Sequence, residues 1–98
     1  MNAQKPLDNN APWFVYIVQC RGGTYYTGIT TDLERRIQEH NDTRKAARYT
    51  RSRRPVNLAY AEGHDSRSEA SKREHQLKQL TVAQKRSLIQ SHQNHQQP

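Results

Sequence analysis

Several side chains able to carry acid-base chemistry or to bind ions lie beside apolar residues in the sequence. Ala70, Glu74 and Leu77 have the spacing of one helix face, which predicts a carboxylate at the edge of the buried surface. Such a carboxylate is a metal ligand or an acid-base group, or it pairs with an arginine at the rim of the core. Arg36 and His40 lie four residues apart beside an apolar stripe. They are either functional residues or a partly buried pair with no catalytic or binding role.

Tyrosines add phenol groups to this set, although a tyrosine in a strand usually belongs to the core. The joint spacing is more informative than any single residue. Tyr26 follows Tyr16 by ten residues, Arg36 follows Tyr26 by ten, His40 follows Arg36 by four, and Glu74 lies further along the chain. These residues act together only if the strands and helices that carry them bring them to one place.

The strands are predicted from apolar runs and turns. Residues 13–18 are continuously apolar, and a strand over 13–19 is therefore expected to be central and covered on both faces. A glycine turn and a β-rich run at 24–30 complete a hairpin. A third strand at 56–62 is expected to place Val56, Leu58 and Tyr60 on one face.

The helices are predicted from capping boxes, in which a hydroxyl residue precedes a Glu or Gln by three positions. Helices at 32–40, 66–80 and 81–90 give the order ββαβαα, an α+β fold with a small three-stranded antiparallel sheet flanked by helices. Residues 1–12 are expected to be a flexible segment, 13–90 the folded domain and 91–98 a disordered tail. The three boxes are Thr31 with Glu34, Ser66 with Glu69, and Thr81 with Gln84.

These positions together resemble the GIY-YIG nuclease superfamily, in its small single-domain bacterial branch. Phe14 replaces the glycine of the first motif, and Ile29 stands where some members carry a lysine. Gly28 of the second motif would let the backbone approach the substrate or the adjacent helix closely. The matching segments cover nearly the whole folded region and are Phe14-Val15-Tyr16, Tyr26-Thr27-Gly28, residues 32–40 and residues 69–78.

The resemblance implies a metal-dependent phosphodiesterase. Glu74 would hold one divalent cation, Mg²⁺ or Mn²⁺, with water in most remaining positions. Arg36 would place a bidentate charge on the phosphate in the transition state. Tyr16 would be the general base, helped by Tyr26 or by His40, whose imidazole has the pKa better suited to neutral pH.

Positive charge is concentrated in residues 44–54. The chain has 16 Lys and Arg against 9 Asp and Glu, a net charge of +7, which favours a polyanionic partner. The segment reads as a basic loop with at most one helical turn, and its alternative role is to aid solubility. The candidate nucleic-acid contacts are Arg44, Lys45, Arg48, Tyr49, Arg51, Arg53 and Arg54.

Length and composition exclude other classes. Ninety-eight residues allow one domain, and no apolar run approaches the roughly 20 residues that span a bilayer, so no membrane partner is expected. The first residues lack a signal-peptide pattern and Cys20 has no second cysteine to pair with, which favours the cytoplasm. The other histidines lack ligand spacing and are predicted at the surface: His64, His75, His92 and His95.

The leading hypothesis is a monomeric endonuclease that hydrolyses DNA phosphodiester bonds, in structured or damaged DNA during repair or recombination, with DNA favoured over RNA. The alternative is a non-catalytic nucleic-acid-binding module on the same fold. A third class is an adaptor whose positive charge recruits an acidic protein. Salt-sensitive binding to random DNA separates the first two from the third, and metal-dependent cleavage separates the first from the second.

Overall fold

The apolar run near the start of the domain forms the central strand of an antiparallel sheet. The computed structural model describes residues 11–42 and 44–96. The strands pair in the order β2-β1-β3, which confirms the predicted α+β class and ββαβαα order, with one helical turn added in the basic segment. The described elements are β1 (Trp13–Gln19), β2 (Tyr25–Thr30), α1 (Leu33–His40), α2 (Arg48–Arg51), β3 (Asn57–His64), α3 (Arg67–Lys78) and α4 (Val82–Gln96).

Both faces of β1 are buried, as predicted for a central strand. Val15 and Ile17 pack in one apolar cluster with Leu77 of α3. Tyr16 and Val18 point to the opposite face, into a second cluster that borders α1. The alternation of side chains along a strand therefore directs a phenol into the protein interior on the α1 side of the sheet.

Two of the predicted helix starts are confirmed. The hydroxyl of Ser66 accepts a hydrogen bond from the amide of Glu69 at 3.1 Å, at the first turn of α3. Before α4, the hydroxyl of Thr81 accepts from the amide of Gln84 at 3.1 Å, and the Gln84 side chain accepts from the Thr81 amide at 2.9 Å. Each hydroxyl satisfies an amide that has no partner within its helix.

The predicted cap of α1 is wrong by one residue. Asp32, not Thr31, is extended at the helix start, and its Oδ1 accepts from the Arg35 amide at 3.1 Å. The Asp32 amide is itself hydrogen bonded to the hydroxyl of Thr30, at the end of β2. Asp caps a helix at least as well as Thr, and Asp32 takes the cap position. The helix therefore begins one residue later than the Thr31 box predicts.

The third strand does not keep one face buried, and the prediction that Val56, Leu58 and Tyr60 share a face is wrong. In the register with β1, Ile17 faces Tyr60 and Val18 faces Leu58, so one residue of β3 is unopposed. This bulge reverses the alternation of side chains. Val56 consequently packs in the Tyr16 cluster, Tyr60 packs in the opposite cluster, and Leu58 is 44% exposed.

The last helix is longer than predicted. α4 ends at Gln96 rather than near residue 90, so residues 91–96, expected to be an unstructured tail, are helical. The predicted flexible segment 1–12 lies mostly outside the described residues. Within the part of the chain that the structure describes, no helix is long and apolar enough to cross a membrane.

Candidate active site

The first two strands place Tyr16 across Gly28. The two residues are paired in the register of β1 and β2, and a Cβ built on Gly28 would lie 2.5 Å from the Tyr16 hydroxyl oxygen. No side chain fits in that distance. The tight approach at Gly28 is therefore to the tyrosine of the neighbouring strand, rather than to substrate or the adjacent helix as the sequence suggested.

Behind Gly28, the Tyr16 hydroxyl reaches a chain of buried polar groups. Its oxygen lies 2.7 Å from Nε2 of His40, at the end of α1. Nδ1 of the same imidazole lies 2.9 Å from the hydroxyl of Thr50 on α2. His40 and Thr50 are both 0% exposed, and Tyr16 is 1% exposed. Sequence reasoning did not identify Thr50.

The environment of His40 determines its charge. Burial and, next, the positive charge of Arg36 lower the pKa of His40 from 6.5 to about 4. The imidazole is therefore neutral at pH 7, with one nitrogen that donates and one that accepts. Either nitrogen can accept a proton from a hydroxyl partner. Which nitrogen donates and which accepts therefore depends on the groups hydrogen bonded to each.

Tyr16 is held in its protonated form. Burial raises its pKa from 10.0 to about 12, while a hydrogen bond and the charge of Arg36 partly oppose that rise. The nearby charge of Glu74 adds to the increase, which places the Glu74 carboxylate within electrostatic range of the phenol. Tyr16 thus enters any reaction as a neutral phenol beside a neutral imidazole.

Arg36 lies on α1 and is engaged within the chain. Its Nη1 donates to Oε1 of Glu39 at 2.9 Å and to the carbonyl oxygen of Lys45 at 3.4 Å, and about a quarter of the side chain is exposed (26%). Burial lowers the pKa of Arg36, but the hydrogen bonds to Glu39 and Tyr16 outweigh that effect and raise the pKa overall. The guanidinium bridges the phenol and solvent, which is the position needed to bind an anion from outside.

Glu74 projects from α3 with its carboxylate partly accessible, at 23% exposure. Oε2 pairs with Nζ of Lys78 one turn later at 3.2 Å, so its partner is a lysine rather than the arginine anticipated at the rim. The described residues contain no group of three or more His, Cys, Asp or Glu that could hold a metal. A cation here would have one carboxylate ligand and otherwise water, a donor set that suits small hard Mg²⁺.

The second motif tyrosine links the site to the basic segment. The Tyr26 ring contacts His40 edge-on, with centroids 5.1 Å apart, and stacks on Tyr49 at 5.9 Å. The Arg53 guanidinium lies 4.0 Å over the Tyr49 ring. Tyr49, a candidate nucleic-acid contact, packs against Tyr26 and Arg53, and 38% of the residue stays exposed.

Arg51, Arg53 and Arg54 of the basic segment donate to backbone carbonyl oxygens. Arg53 donates to the carbonyl of Tyr49 at 2.7 Å, and Arg54 donates to the carbonyl of Arg51 at 2.8 Å. Carbonyl oxygens orient a guanidinium without cancelling its charge. The segment therefore presents oriented positive charge beside the Tyr16 site, and its most exposed members are Arg44, Lys45, Arg48 and Arg51.

A second polar cluster, which sequence reasoning missed, holds α3 to the sheet. The Glu62 carboxylate on β3 accepts hydrogen bonds from the Tyr60 hydroxyl, from Nε2 of His64 at 2.8 Å and from Nε of Arg73 at 2.8 Å. Burial opposes ionisation, but these partners lower the pKa of Glu62. His64 is half-buried here, so its predicted surface position is wrong. Arg73 precedes Glu74, and the cluster thereby anchors the turn of α3 that carries Glu74.

Tyr16, Tyr26, Arg36 and His40, which lie on β1, β2 and α1, thus contact one another, and the charge of Glu74 on α3 acts on the Tyr16 phenol. The family model for the GIY-YIG catalytic domain matches residues 12–87. The chain belongs to the GIY-YIG family. GIY-YIG is a nuclease superfamily. The relatives of this chain belong to the small single-domain branch that the motifs suggested.

A relative in sequence and two solved structures are similar to this chain. The UPF0213 protein DP2720 of Desulfotalea psychrophila is 60% identical over 86 residues, covering 88% of this chain and 78% of the relative. The solution structure of the UPF0213 protein BH0048 from Bacillus halodurans is 40% identical, with a TM-score of 0.51 over 80% of this chain and 82% of its own. The solution structure of EF2693 from E. faecalis is 37% identical, with a TM-score of 0.57 over 87% and 90%.

Proposed function

We propose that the protein is a metal-dependent endonuclease that hydrolyses phosphodiester bonds in DNA. The observation that carries the proposal is the buried hydrogen bond between the Tyr16 hydroxyl and the neutral imidazole of His40, with Arg36 on the solvent side of the phenol. A phenol bonded to an imidazole can pass a proton inward while it receives one from water. The neighbouring cation can hold the phosphate that the water attacks.

In the proposed reaction, water attacks phosphorus, a new P–O bond forms and the bond to the leaving oxygen breaks. The proton of the water goes to the Tyr16 oxygen, the Tyr16 proton goes to Nε2 of His40, and the leaving oxygen takes a proton from solvent. Arg36 holds the phosphate, which also neutralises one of the charges that lower the pKa of His40. A divalent cation at Glu74 would supply charge stabilisation for the leaving oxygen.

The basic segment is the proposed contact surface for DNA. The segment adjoins Arg36, whose Nη1 donates to the Lys45 carbonyl oxygen, so a phosphate backbone lying along its exposed cations would pass Arg36. So small a surface reads shape more readily than a long sequence, which favours structured or damaged DNA, as met in repair or recombination. The proposed setting is the cytoplasm, with the chain acting as a monomer and DNA preferred over RNA.

A non-catalytic nucleic-acid-binding module remains the second candidate, on one specific observation. Arg36 is paired with Glu39, and Glu74 is paired with Lys78. In catalysis a phosphate must reach Arg36 and a cation must reach Glu74, and each would compete with the existing partner. A module that only binds DNA through the basic segment needs neither change of partner.

The deciding experiment is cleavage of labelled plasmid, single-stranded, flap, branched and RNA substrates with Mg²⁺ or Mn²⁺. Wild type is compared with Glu74→Gln and with Glu69→Gln, an exposed carboxylate on the same helix as the matched control. We expect cleavage that requires metal, is lost in Glu74→Gln and persists in Glu69→Gln, with DNA binding unchanged in all three. Salt-dependent binding without cleavage by any of them would favour the binding module.

A further inference from the structure

Thr50 occupies an unusual position in the basic segment. The single helical turn α2 presents Arg48 and Arg51 to solvent, yet its Thr50 side chain is 0% exposed and points to His40. Thr50 is the buried residue of this four-residue turn. Its contacts therefore show what the turn contributes to the interior.

The hydrogen bonds of Thr50 bear on which nitrogen of His40 carries the proton. A hydroxyl has one proton, and that of Thr50 is donated to the carbonyl oxygen of Ala47 at 3.1 Å. The oxygen is then an acceptor toward Nδ1 of His40, 2.9 Å away. With Thr50 as donor to Ala47, the contact to His40 is made by Nδ1–H, and Nε2 then presents its lone pair to the Tyr16 hydroxyl at 2.7 Å.

We propose that Thr50 is a positioning residue, which holds His40 in the tautomer whose Nε2 accepts the Tyr16 proton. The inference rests on the proposed function for its catalytic consequence, while the tautomer itself can be observed without any reaction. In the opposite tautomer, Nε2–H would point at Tyr16, and His40 could not take the phenol proton.

The arrangement resembles a catalytic triad, in which an acid orients a histidine beside a nucleophile. Here the neutral hydroxyl of Thr50 orients His40 beside Tyr16. A carboxylate at the Thr50 position would stabilise the imidazolium and raise the pKa of His40. A hydroxyl orients the ring and leaves the imidazole neutral. Because Thr50 lies on the same turn as Arg48 and Arg51, the segment proposed to bind DNA also sets the proton position in the site.

The test is the ¹⁵N NMR signature of the His40 ring in the full chain, for wild type, Thr50→Val and Thr50→Ser. Wild type is expected to show a protonated Nδ1 and an unprotonated Nε2 at pH 7. Thr50→Val keeps the shape but removes the acceptor, and should shift the population toward Nε2–H. Thr50→Ser should retain the wild-type signature. With DNA and metal, Thr50→Val should lower kcat by about 10- to 100-fold with KM unchanged, and Thr50→Ser should restore it.

The outcomes separate the two proposals. An Nε2–H tautomer in wild type overturns the inference without any variant, even if Thr50→Val fails to fold. An unchanged tautomer in folded Thr50→Val, or a changed tautomer with wild-type kcat, also overturns it while leaving the nuclease in place. If wild type shows the expected tautomer but cuts no substrate, the proposed function fails and the assignment of the Thr50 contact is supported.

Discussion

Tyr16 and His40 are 24 residues apart in sequence, yet the hydroxyl oxygen of one lies 2.7 Å from Nε2 of the other, and neither side chain reaches solvent appreciably. Burial shifts the two groups in opposite directions. It raises the pKa of the phenol to about 12 and contributes to lowering that of the imidazole to about 4. Both groups are consequently neutral at pH 7, and the pair stores a transferable proton without burying a charge.

The close approach at Gly28 predicts a specific double-mutant result. Gly28→Ala would set a Cβ 2.5 Å from the Tyr16 oxygen and 2.8 Å from Cζ, so we expect a loss of about 1 to 3 kcal/mol in the free energy of unfolding. Urea denaturation measures this loss. In a Tyr16→Phe background the closest contact is removed, and the cost of Gly28→Ala should be smaller. Equal costs in both backgrounds would mean that the aromatic ring, not the hydroxyl, meets the new methyl group.

The lowered pKa of His40 predicts how stability depends on pH. Between pH 6.5 and about 4, the unfolded chain protonates residue 40 and the folded chain does not, so the free energy of unfolding falls as the pH falls. The contribution of this residue is about 2 to 3 kcal/mol across that window. Chemical denaturation from pH 7 to 4.5 should show a steeper loss in wild type than in His40→Gln, and parallel curves would contradict the assignment.

The Glu74–Lys78 pair predicts competition between a lysine and a metal. Lys78→Gln removes the cation that occupies Glu74, and because more than half of the Lys78 side chain is exposed (53%), the gain should be modest. We expect Mn²⁺ to bind about two- to five-fold more tightly, in line with the roughly 0.2 to 1 kcal/mol of an exposed pair. Titration followed by electron paramagnetic resonance measures the affinity. Glu74→Gln should abolish the site, and Lys72→Gln, an exposed lysine on the same helix, serves as the control.

The basic segment predicts the salt dependence of DNA binding. Arg48→Gln and Arg51→Gln each remove one exposed cation of α2, and each lost phosphate contact should reduce the slope of log K against log salt by about 0.9. Fluorescence anisotropy with random duplex DNA at several salt concentrations gives the slope. Arg86→Gln, an exposed arginine on α4, should leave it unchanged. Equal effects from all three variants would indicate attraction by net charge rather than a defined surface.

Much of the fold follows from local sequence. A run of apolar β-forming residues can only be buried as a central strand, and a hydroxyl at Ser66 or Thr81 satisfies helix amides a few residues away. These features depend on neighbours in the chain, so they are predictable. The bulge in β3 depends on how that strand registers against β1, and the alternation rule alone placed Val56 and Tyr60 on one face when they lie on two.

The candidate site also has a part that the sequence predicts and a part that it does not. Spacing and resemblance selected five residues whose types bind phosphates, protons and cations at family intervals, namely Tyr16, Tyr26, Arg36, His40 and Glu74. Nothing local indicated Thr50, which lies ten residues beyond His40 in a segment otherwise marked by its charge.

The sequence by itself determined the order of elements and the chemical groups available. Only the tertiary structure decided which of those groups are hydrogen bonded to one another and which are already paired. The physical reason is that those properties arise from burial and from contacts between distant segments. A polar group removed from water must bond to whatever donor or acceptor the packed chain brings within reach.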